Sequence, residues 1–375
     1  MAKRKIEKIT TLALVDKPEK IKSIYVRRRK PKKGLEKIRK IEISTISKAV
    51  QNPIIAPSDN WWESYQVFNP AAIMLNGKVH IIYRSIGEDG ISRFGYAYSE
   101  DGLNVDGRLS YPVYHHLIKD TGQYIYYFPS GGSWGGCEDP RLVQVEGEDT
   151  IYMTYTACDK GLRVALTSIK SEDLIKSKWK WKKPVLISPD GEVHKNWVIF
   201  PEKINGKYAI LHSISPEISI EYRDTLEFED EEVIKSFYKN DDSRKNCWDS
   251  WVRGAGPPPI KTKHGWLIFY HGMNKDRPSQ YKVGAMLADL KDPTKVLYRS
   301  KTPVLEPSEE YENSGFKPGV IYASGAIVKD GTLFIYYGGS DNYICVAYCD
   351  LEEFLKELMK NGKVRLKRKV ARKKS

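Results

Sequence analysis

The sequence predicts an all-β protein, a five-bladed β-propeller, and three observations lead there. Five segments repeat one pattern: a turn with Gly, an alternating aromatic-rich strand, and a second strand close behind. The turn glycines fall at 77, 147, 206, 265 and 331, in steps of 70, 59, 59 and 66 residues. A repeat of roughly 60 residues holding several strands is the pattern of a propeller blade. Helical patterning is confined to the stretch from Glu352 to Lys360. One such unit cannot bury both sheet faces, so copies must pack around an axis and close. A pair of β-sandwiches with coincidental spacing is the alternative.

In chain order, the first unit runs from Asn76-Gly77 into Val79–Arg84, with Phe94–Ser99 behind it. The second runs from Glu146-Gly147 into Ile151–Thr156, with Arg163–Ser168. The third, from Asn205-Gly206 into Tyr208–His212, has a weaker partner in Ile218–Tyr222. The fourth runs from His264-Gly265 into Trp266–His271, with Tyr281–Met286, and the fifth from Asp330-Gly331 into Thr332–Tyr337, with Ile344–Tyr348. Each Gly permits the positive φ of a tight hairpin. The strands carry the period-two alternation of half-buried sheet.

Length and composition agree. The chain has 375 residues with 41% hydrophobic residues, enough for a large core and too many for a wholly disordered chain. No apolar run approaches the roughly 20 residues of a membrane span. The apolar stretch Ile9–Val15 is short and broken by Thr, unlike a signal peptide, so a cytoplasmic protein is expected. The five Cys match no zinc spacing and suggest reduced, mostly buried thiols. The net charge of +13 is unevenly spread: residues 1–40 carry +12, residues 361–375 carry +8, and the middle is mildly acidic. The expected organisation is therefore a basic extension over 1–45, a catalytic propeller over 46–350, and a C-terminal helix with a basic tail over 351–375. The tails lack the interleaved aromatics of a specific RNA reader, so nucleic acid is not the expected partner.

Ligands of a propeller bind on its axis. The sharpest candidate is Gly135-Gly136-Cys137-Glu138-Asp139-Pro140-Arg141-Leu142, in which two acids, a Pro and an Arg directly precede a strand. Pro140 restricts the backbone and helps aim Asp139. Arg141 can hold a carboxylate in place. A carboxyl group in a semi-enclosed site serves as a general acid if burial raises its pKa. A blade-start salt bridge is the structural alternative. A second group is cationic: Arg84, Arg163, Lys195 and Arg253, with His271 after Tyr270. Gathered on an axis, such groups would bind phosphate or another oxyanion. Taken singly, each fits a surface charge or an ion pair between blades. No P-loop, dinucleotide fingerprint, GxSxG or HExxH is present, and the seven His show no metal-ligand spacing, so neither a metal nor a cofactor is expected.

At these residues the chain resembles glycoside hydrolase family 130, the mannoside phosphorylases and their β-mannosidase relatives. The matching motifs are Asn69-Pro70-Ala71-Ala72 with Arg84, Glu138-Asp139-Pro140-Arg141, Phe200-Pro201-Glu202-Lys203, Gly254–Pro258 running to Tyr270-His271-Gly272, and Gly325-Ala326 through Tyr337–Asp341. They occur in family order over roughly residues 60–350. The resemblance implies a five-bladed propeller and a glycosyltransferase-type reaction of carbohydrate metabolism: inverting phosphorolysis of a β-mannoside to mannose 1-phosphate. It implies Asp139 as the general acid, inorganic phosphate as co-substrate, and Arg163, Tyr270 and His271 on the phosphate side with Lys195 and Arg253. Asn69, Arg84, Arg93 and Asp341, with Glu138 and Arg141, would hold the sugar. There are departures. Val252 stands where many family phosphorylases carry a base, and Phe316–Val320 matches imperfectly. They leave open a β-mannosidase using Glu202, Glu306 or Glu310 as base. A non-catalytic sugar-binding propeller is a third reading.

Overall fold

The computed structural model describes residues 46–116, 131–159, 161–237, 244–362 and 364. All belong to one compact unit, Ile43–Ser375. The basic N-terminal extension and nearly all of the C-terminal tail lie outside the described residues.

The unit is all-β, built from antiparallel runs. The first run is β2 (Gln66–Leu75), β3 (Lys78–Ile86), β4 (Ile91–Ser99) and β5 (Gly107–Arg108), preceded in sequence by β1 (Ser47–Lys48). The second is β6 (Gly135–Gln144), β7 (Thr150–Cys158), β8 (Leu162–Lys170) and β9 (Val185–Leu186), with the short helix α1 (Ser171–Ile175) inside it. The third is β10 (Val198–Ile199), β11 (Tyr208–Ser213) and β12 (Ser219–Arg223). The fourth is β13 (Trp251–Ala255), β14 (Ile260–Thr262), β15 (Gly265–Asn274), β16 (Arg277–Ala288) and β17 (Val296–Arg299). The fifth is β18 (Ile321–Lys329), β19 (Thr332–Gly339) and β20 (Tyr343–Asp350), onto which β1 adds as an outer strand. The first two runs join into one eight-stranded sheet through two parallel pairs, Ile91–Gly135 and Ser92–Gly136. Helix α2 (Leu351–Asn361) follows β20, capped by the Asp350 side chain accepting from the Glu353 amide at 2.8 Å.

The predicted repeat strands are the second and third strands of each run, except in the fourth, where β14 intervenes and they are β15 and β16. The inner strand and the short outer strand were not foreseen. The hairpin signals hold at Asn76-Gly77, Asn205-Gly206 and Asp330-Gly331, where both residues have φ between 48° and 81°. That is the requirement of a two-residue primed turn. Gly265 differs: it opens β15 and pairs with Thr262 of β14.

Five apolar clusters occupy the gaps between consecutive runs. Ile82 and Phe94 of the first run pack with Leu142 and Met153 of the second. Val164 and Leu166 meet Ile199 and Ile210 of the third. Leu211 meets Ile268 and Met286 of the fourth. Phe269 and Val283 meet Ile335 and Ala347 of the fifth. The fifth returns to the first through Phe334 and Val346 against Val79 and Ile81. Burying each large side chain contributes about 1.5–3 kcal/mol, so the runs are held chiefly by these interfaces.

A repeated polar clamp underlies three of the strands, β3, β15 and β19. Tyr83, Tyr270 and Tyr337 occupy the same place in β3, β15 and β19, each opposite a small residue: Gly95, Gly284 and Cys345. Each hydroxyl donates to a fully buried acid from the preceding loop, namely Glu63 (2.8 Å), Asp249 (2.7 Å) and Glu312 (2.8 Å). A cation completes each clamp: Arg108, Arg299 and Lys48. Lys48 lies 2.6 Å from Glu312 and ties β1 to the fifth run. Glu312 also accepts the amides of Ser308 and Glu309. Glu312→Gln removes a charge that one buried partner and two amides need. It should lower the unfolding free energy by about 3 kcal/mol or more, read by urea denaturation. A loss under about 0.5 kcal/mol would mean that the clamp is not structural.

Candidate active site

The inner strands share one irregularity. Register breaks between Phe68 and Ala71 in β2, Glu138 and Arg141 in β6, Val252 and Gly254 in β13, and Ala323 and Gly325 in β18. These are β-bulges, which bend a strand and re-aim a side chain. Asn69 (φ 47°), Asp139 (φ 53°) and, just before β10, Asn196 (φ 66°) adopt the left-handed conformation. Asn and Asp tolerate it better than other side-chain-bearing residues. Pro70 and Pro140 fit beside the bulges because no ladder donor is needed there. The EDPR stretch therefore sits inside β6 rather than before a strand. The bulge leaves the Asp in place to face inward.

The bulged segments converge on a cavity of about 520 Å³. Asn69, Arg84, Asp139, Lys195, Arg253 and Asp341 all line it, so six of the twelve expected site residues share one space. Asp139 is 4% exposed. Its Oδ1 accepts from Asn69 Nδ2 at 2.8 Å and from Arg84 at 3.3 Å. Arg84 also donates to Ser92 at 2.8 Å, Ser133 at 3.0 Å and Glu138 at 3.1 Å. Lys195 Nζ reaches the other Glu138 oxygen at 2.6 Å. Glu138 thus stands behind the wall as the counter-charge that fixes both cations. Arg141 lies below the cavity floor, where it donates to the Asp139 carbonyl (2.7 Å), the Gly256 carbonyl (2.9 Å), Asn196 (2.9 Å) and the Tyr322 hydroxyl (3.0 Å). Neither touches the open space; both position what does. Asp341, buried and at φ 51°, pairs with Lys317 at 2.9 Å.

The electrostatics differ from the expectation for a general acid. Burial pushes the Asp139 carboxyl up, but Arg84, Lys195 and Arg141, with the Asn69 hydrogen bond, outweigh it and hold the pKa at about 2. Asp341 goes the other way: burial raises its pKa despite Lys317 and Arg84. Two neighbouring carboxyl groups pushed apart are a common mark of acid–base sites. The Lys195 ammonium is held charged above its ordinary value because Glu138 and Asp139 outweigh desolvation.

Four assignments do not meet the cavity. Tyr270 is committed to the Asp249–Arg299 clamp within its own run. His271 is fully buried one layer behind the wall, its ring stacked on Tyr322 with centroids 3.9 Å apart. Burial, with Arg141 nearby, lowers its pKa to about 3, so it is no cation for phosphate. Arg163 turns its guanidinium onto the Ser188 carbonyl, with Nε at 3.0 Å. Arg93 forms a two-pronged pair with Asp89 at 2.9 and 2.6 Å. These four were assigned from the family resemblance, Arg163 and His271 also from the cationic group, and a resemblance carries a residue type to a position without the direction its side chain takes in this fold. The three candidate bases, Glu202, Glu306 and Glu310, do not line the cavity either. Glu202 pairs with Lys261, Glu306 pairs with Lys282, and Glu310 lies in a short 3-10 turn.

Other lining residues escaped the sequence reading. Asn196 takes the place in the third run that Asn69 and Asp139 take in the first two, and donates to the Arg253 carbonyl at 2.7 Å. Tyr281 accepts from Arg253 Nε at 2.9 Å. His212, at the Arg84 position of its run, bonds Ser236 at 2.9 Å, and burial lowers its pKa to about 4.

Comparison with known proteins agrees with this geometry. The sequence profile of glycoside hydrolase family 130, described as beta-1,4-mannooligosaccharide phosphorylase, matches residues 28–360. A 1,2-beta-oligomannan phosphorylase of Thermoanaerobacter sp. (strain X514) is 39% identical over 315 residues, covering 80% of this chain and 96% of that protein. A beta-1,2-mannobiose phosphorylase of the same organism is 33% identical, covering 82% and 98%. Among solved structures, the Listeria innocua beta-1,2-mannobiose phosphorylase in complex with beta-1,2-mannobiose superposes with a TM-score of 0.64 at 26% identity, covering 84% of this chain and 99% of that one. No helix among the described residues is long and apolar enough to cross a membrane. The EDPR bulge, the cations gathered around it and a profile spanning most of the chain lead to one assignment: this protein belongs to glycoside hydrolase family 130 and is an enzyme.

Proposed function

We propose that this enzyme is a five-bladed β-propeller that cleaves a β-mannosidic bond with inorganic phosphate, inverting the anomeric centre to give mannose 1-phosphate. One observation carries the reading: Asp139, aimed inward by its bulge, shares a cavity with Lys195 and Arg253. Phosphate needs cations, and a glycosidic leaving group needs a proton. Asn69, Arg84 and Asp341 hold the mannose to be transferred. The relatives at 39% and 33% identity favour a β-1,2 linkage. No cofactor is required beyond phosphate as co-substrate.

The low pKa of Asp139 sets the order of events. With Arg84 and Lys195 beside it, Asp139 is ionised at neutral pH. A phosphate dianion on Lys195 and Arg253 offsets that positive field and raises the proton affinity of Asp139, which takes up a proton from solvent as phosphate binds. Asp139 then gives its proton towards the leaving oxygen, directly or through a sugar hydroxyl, as the C1–O bond breaks. Phosphate forms the new C1–O bond from the opposite face. The hydrogen carried by HPO4²⁻ is released from the mannose 1-phosphate and restores Asp139, so protons balance without a general base.

The alternative is hydrolysis, favoured by the second cavity carboxyl, Asp341. An inverting hydrolase needs a base carboxylate about 6.5–9.5 Å from the acid. Asp341 is engaged by Lys317 on the same side as Arg84, which suits sugar binding better. The test is product analysis on β-1,2- and β-1,4-mannobiose with and without phosphate. α-Mannose 1-phosphate formed only with phosphate is the expected result. Free mannose at equal rates in both would establish the hydrolase.

A further inference from the structure

We propose that a second cavity beside the active site binds sugar units of the leaving group and makes the enzyme selective for chain length; this rests on the phosphorylase reading above. That cavity, of about 490 Å³, is lined in part by Tyr65, Trp134 and Phe316 together with Glu88, Asp89 and Asn342. The three rings are 58%, 54% and 54% exposed, and Trp61, 51% exposed, stands four residues before Tyr65 in the chain. These are four of the six exposed large aromatics among the described residues. Such a concentration on one face marks a binding surface.

The shelf is built. Trp134 lies against Gly90 so closely that a Cβ there would come 2.4 Å from its ring. Phe316 lies against Gly132, where a Cβ would sit 3.0 Å from its ring. Bare backbone lets both rings stay flat on the surface. Asp89 is held by the two-pronged grip of Arg93, whose guanidinium stacks on Trp61 at 4.9 Å. This gives Arg93, which stands clear of the first cavity, a role. It fixes a carboxylate that accepts hydroxyl hydrogens beside flat rings that cover C–H faces. A sugar ring presents those two surfaces.

The two cavities adjoin. Gly131, Lys317 and Asp341 line the first, and their chain neighbours Gly132, Phe316 and Asn342 line the second. Neighbouring Cα atoms are about 3.8 Å apart. Gln66 holds the partition, donating to the Asp341 carbonyl at 2.7 Å. The chemistry names the occupant. Mannose 1-phosphate carries one mannose, so every other sugar of the substrate belongs to the leaving group. That group must leave the first cavity past Asp139, and the shelf stands beside its exit.

The test compares β-1,2-mannobiose with β-1,2-mannotetraose on the wild type, Trp134→Ala and Phe316→Ala. In the wild type kcat/KM for the tetraose should exceed that for the biose by about tenfold. Either variant should remove that advantage and leave the biose within about twofold. No wild-type preference, or equal losses on both sugars, would overturn the proposal while leaving phosphorolysis intact. If the biose yields no mannose 1-phosphate, the phosphorylase reading fails by itself. Calorimetric binding of the tetraose still decides the shelf: it should weaken about tenfold in Trp134→Ala, and unchanged binding would refute the proposal. A variant that alters only the oligomeric state on size exclusion would assign the patch to a second copy and likewise overturn it.

Discussion

Asp139→Asn will lower phosphorolysis by about 10²–10⁴-fold while leaving the protein folded. Asn keeps the shape and tolerates the φ of 53°. It also keeps an acceptor for Asn69 and Arg84. It cannot donate a proton as a carboxylic acid does. The loss should shrink on an aryl mannoside whose phenolate leaves without protonation, because only the acid step is missing. An equal loss on both substrates would show a positioning role instead. The substitution also bears on acid stability. A carboxyl held at about 2 contributes stability that is present above its ordinary value of 3.8 and is lost as pH falls towards 2. That part of the acid dependence should vanish in the Asn variant, as read by urea unfolding between neutral pH and pH ~3.

Arg84→Met should cost about 3–5 kcal/mol at neutral pH, because it leaves the buried carboxylates of Glu138 and Asp139 without their shared cation. Lys195 alone cannot satisfy both. The Asp139 pKa should rise, since the largest charge opposing desolvation is gone. The sign with pH follows. At neutral pH the variant buries uncompensated negative charge, whereas in acid Asp139 takes up a proton and the need for Arg84 falls. The stability gap from wild type should therefore narrow as pH falls from 7 towards 4. Sugar binding should weaken in parallel, read as a raised KM for the mannoside at unchanged KM for phosphate. A gap that stays constant with pH would place the effect in lost packing on Phe68, whose ring lies 4.7 Å from the guanidinium.

Much of this molecule was legible from composition, spacing and motif. The turn glycines located the hairpins because Asn-Gly and Asp-Gly meet a backbone requirement that few other pairs meet. Asp139 stood out because two acids sit beside a Pro and an Arg, and Asn69 came from the family resemblance alone. Of the cationic group Arg84, Arg163, Lys195, Arg253 and His271, which charge alone could only suggest, Arg84, Lys195 and Arg253 line the cavity. Hidden were the bulges, which re-aim residues by a local change of register that no alternation rule contains. Tyr270 and His271 looked like ligands because their letters suit phosphate. Packing instead turned one into a clamp and buried the other behind Tyr322. Lys317, His212 and Tyr281 come from separate runs and share a wall only because the runs converge.

The sequence by itself determined the all-β class and the positions of the hairpins, since each depends on local backbone conformation and residue pattern, and it singled out Asp139 as the candidate acid. Only the tertiary structure decided which side chains face the cavity and that Asp139 is ionised there. Orientation and pKa depend on groups brought close from distant parts of the chain, and field and burial act through space rather than along the sequence.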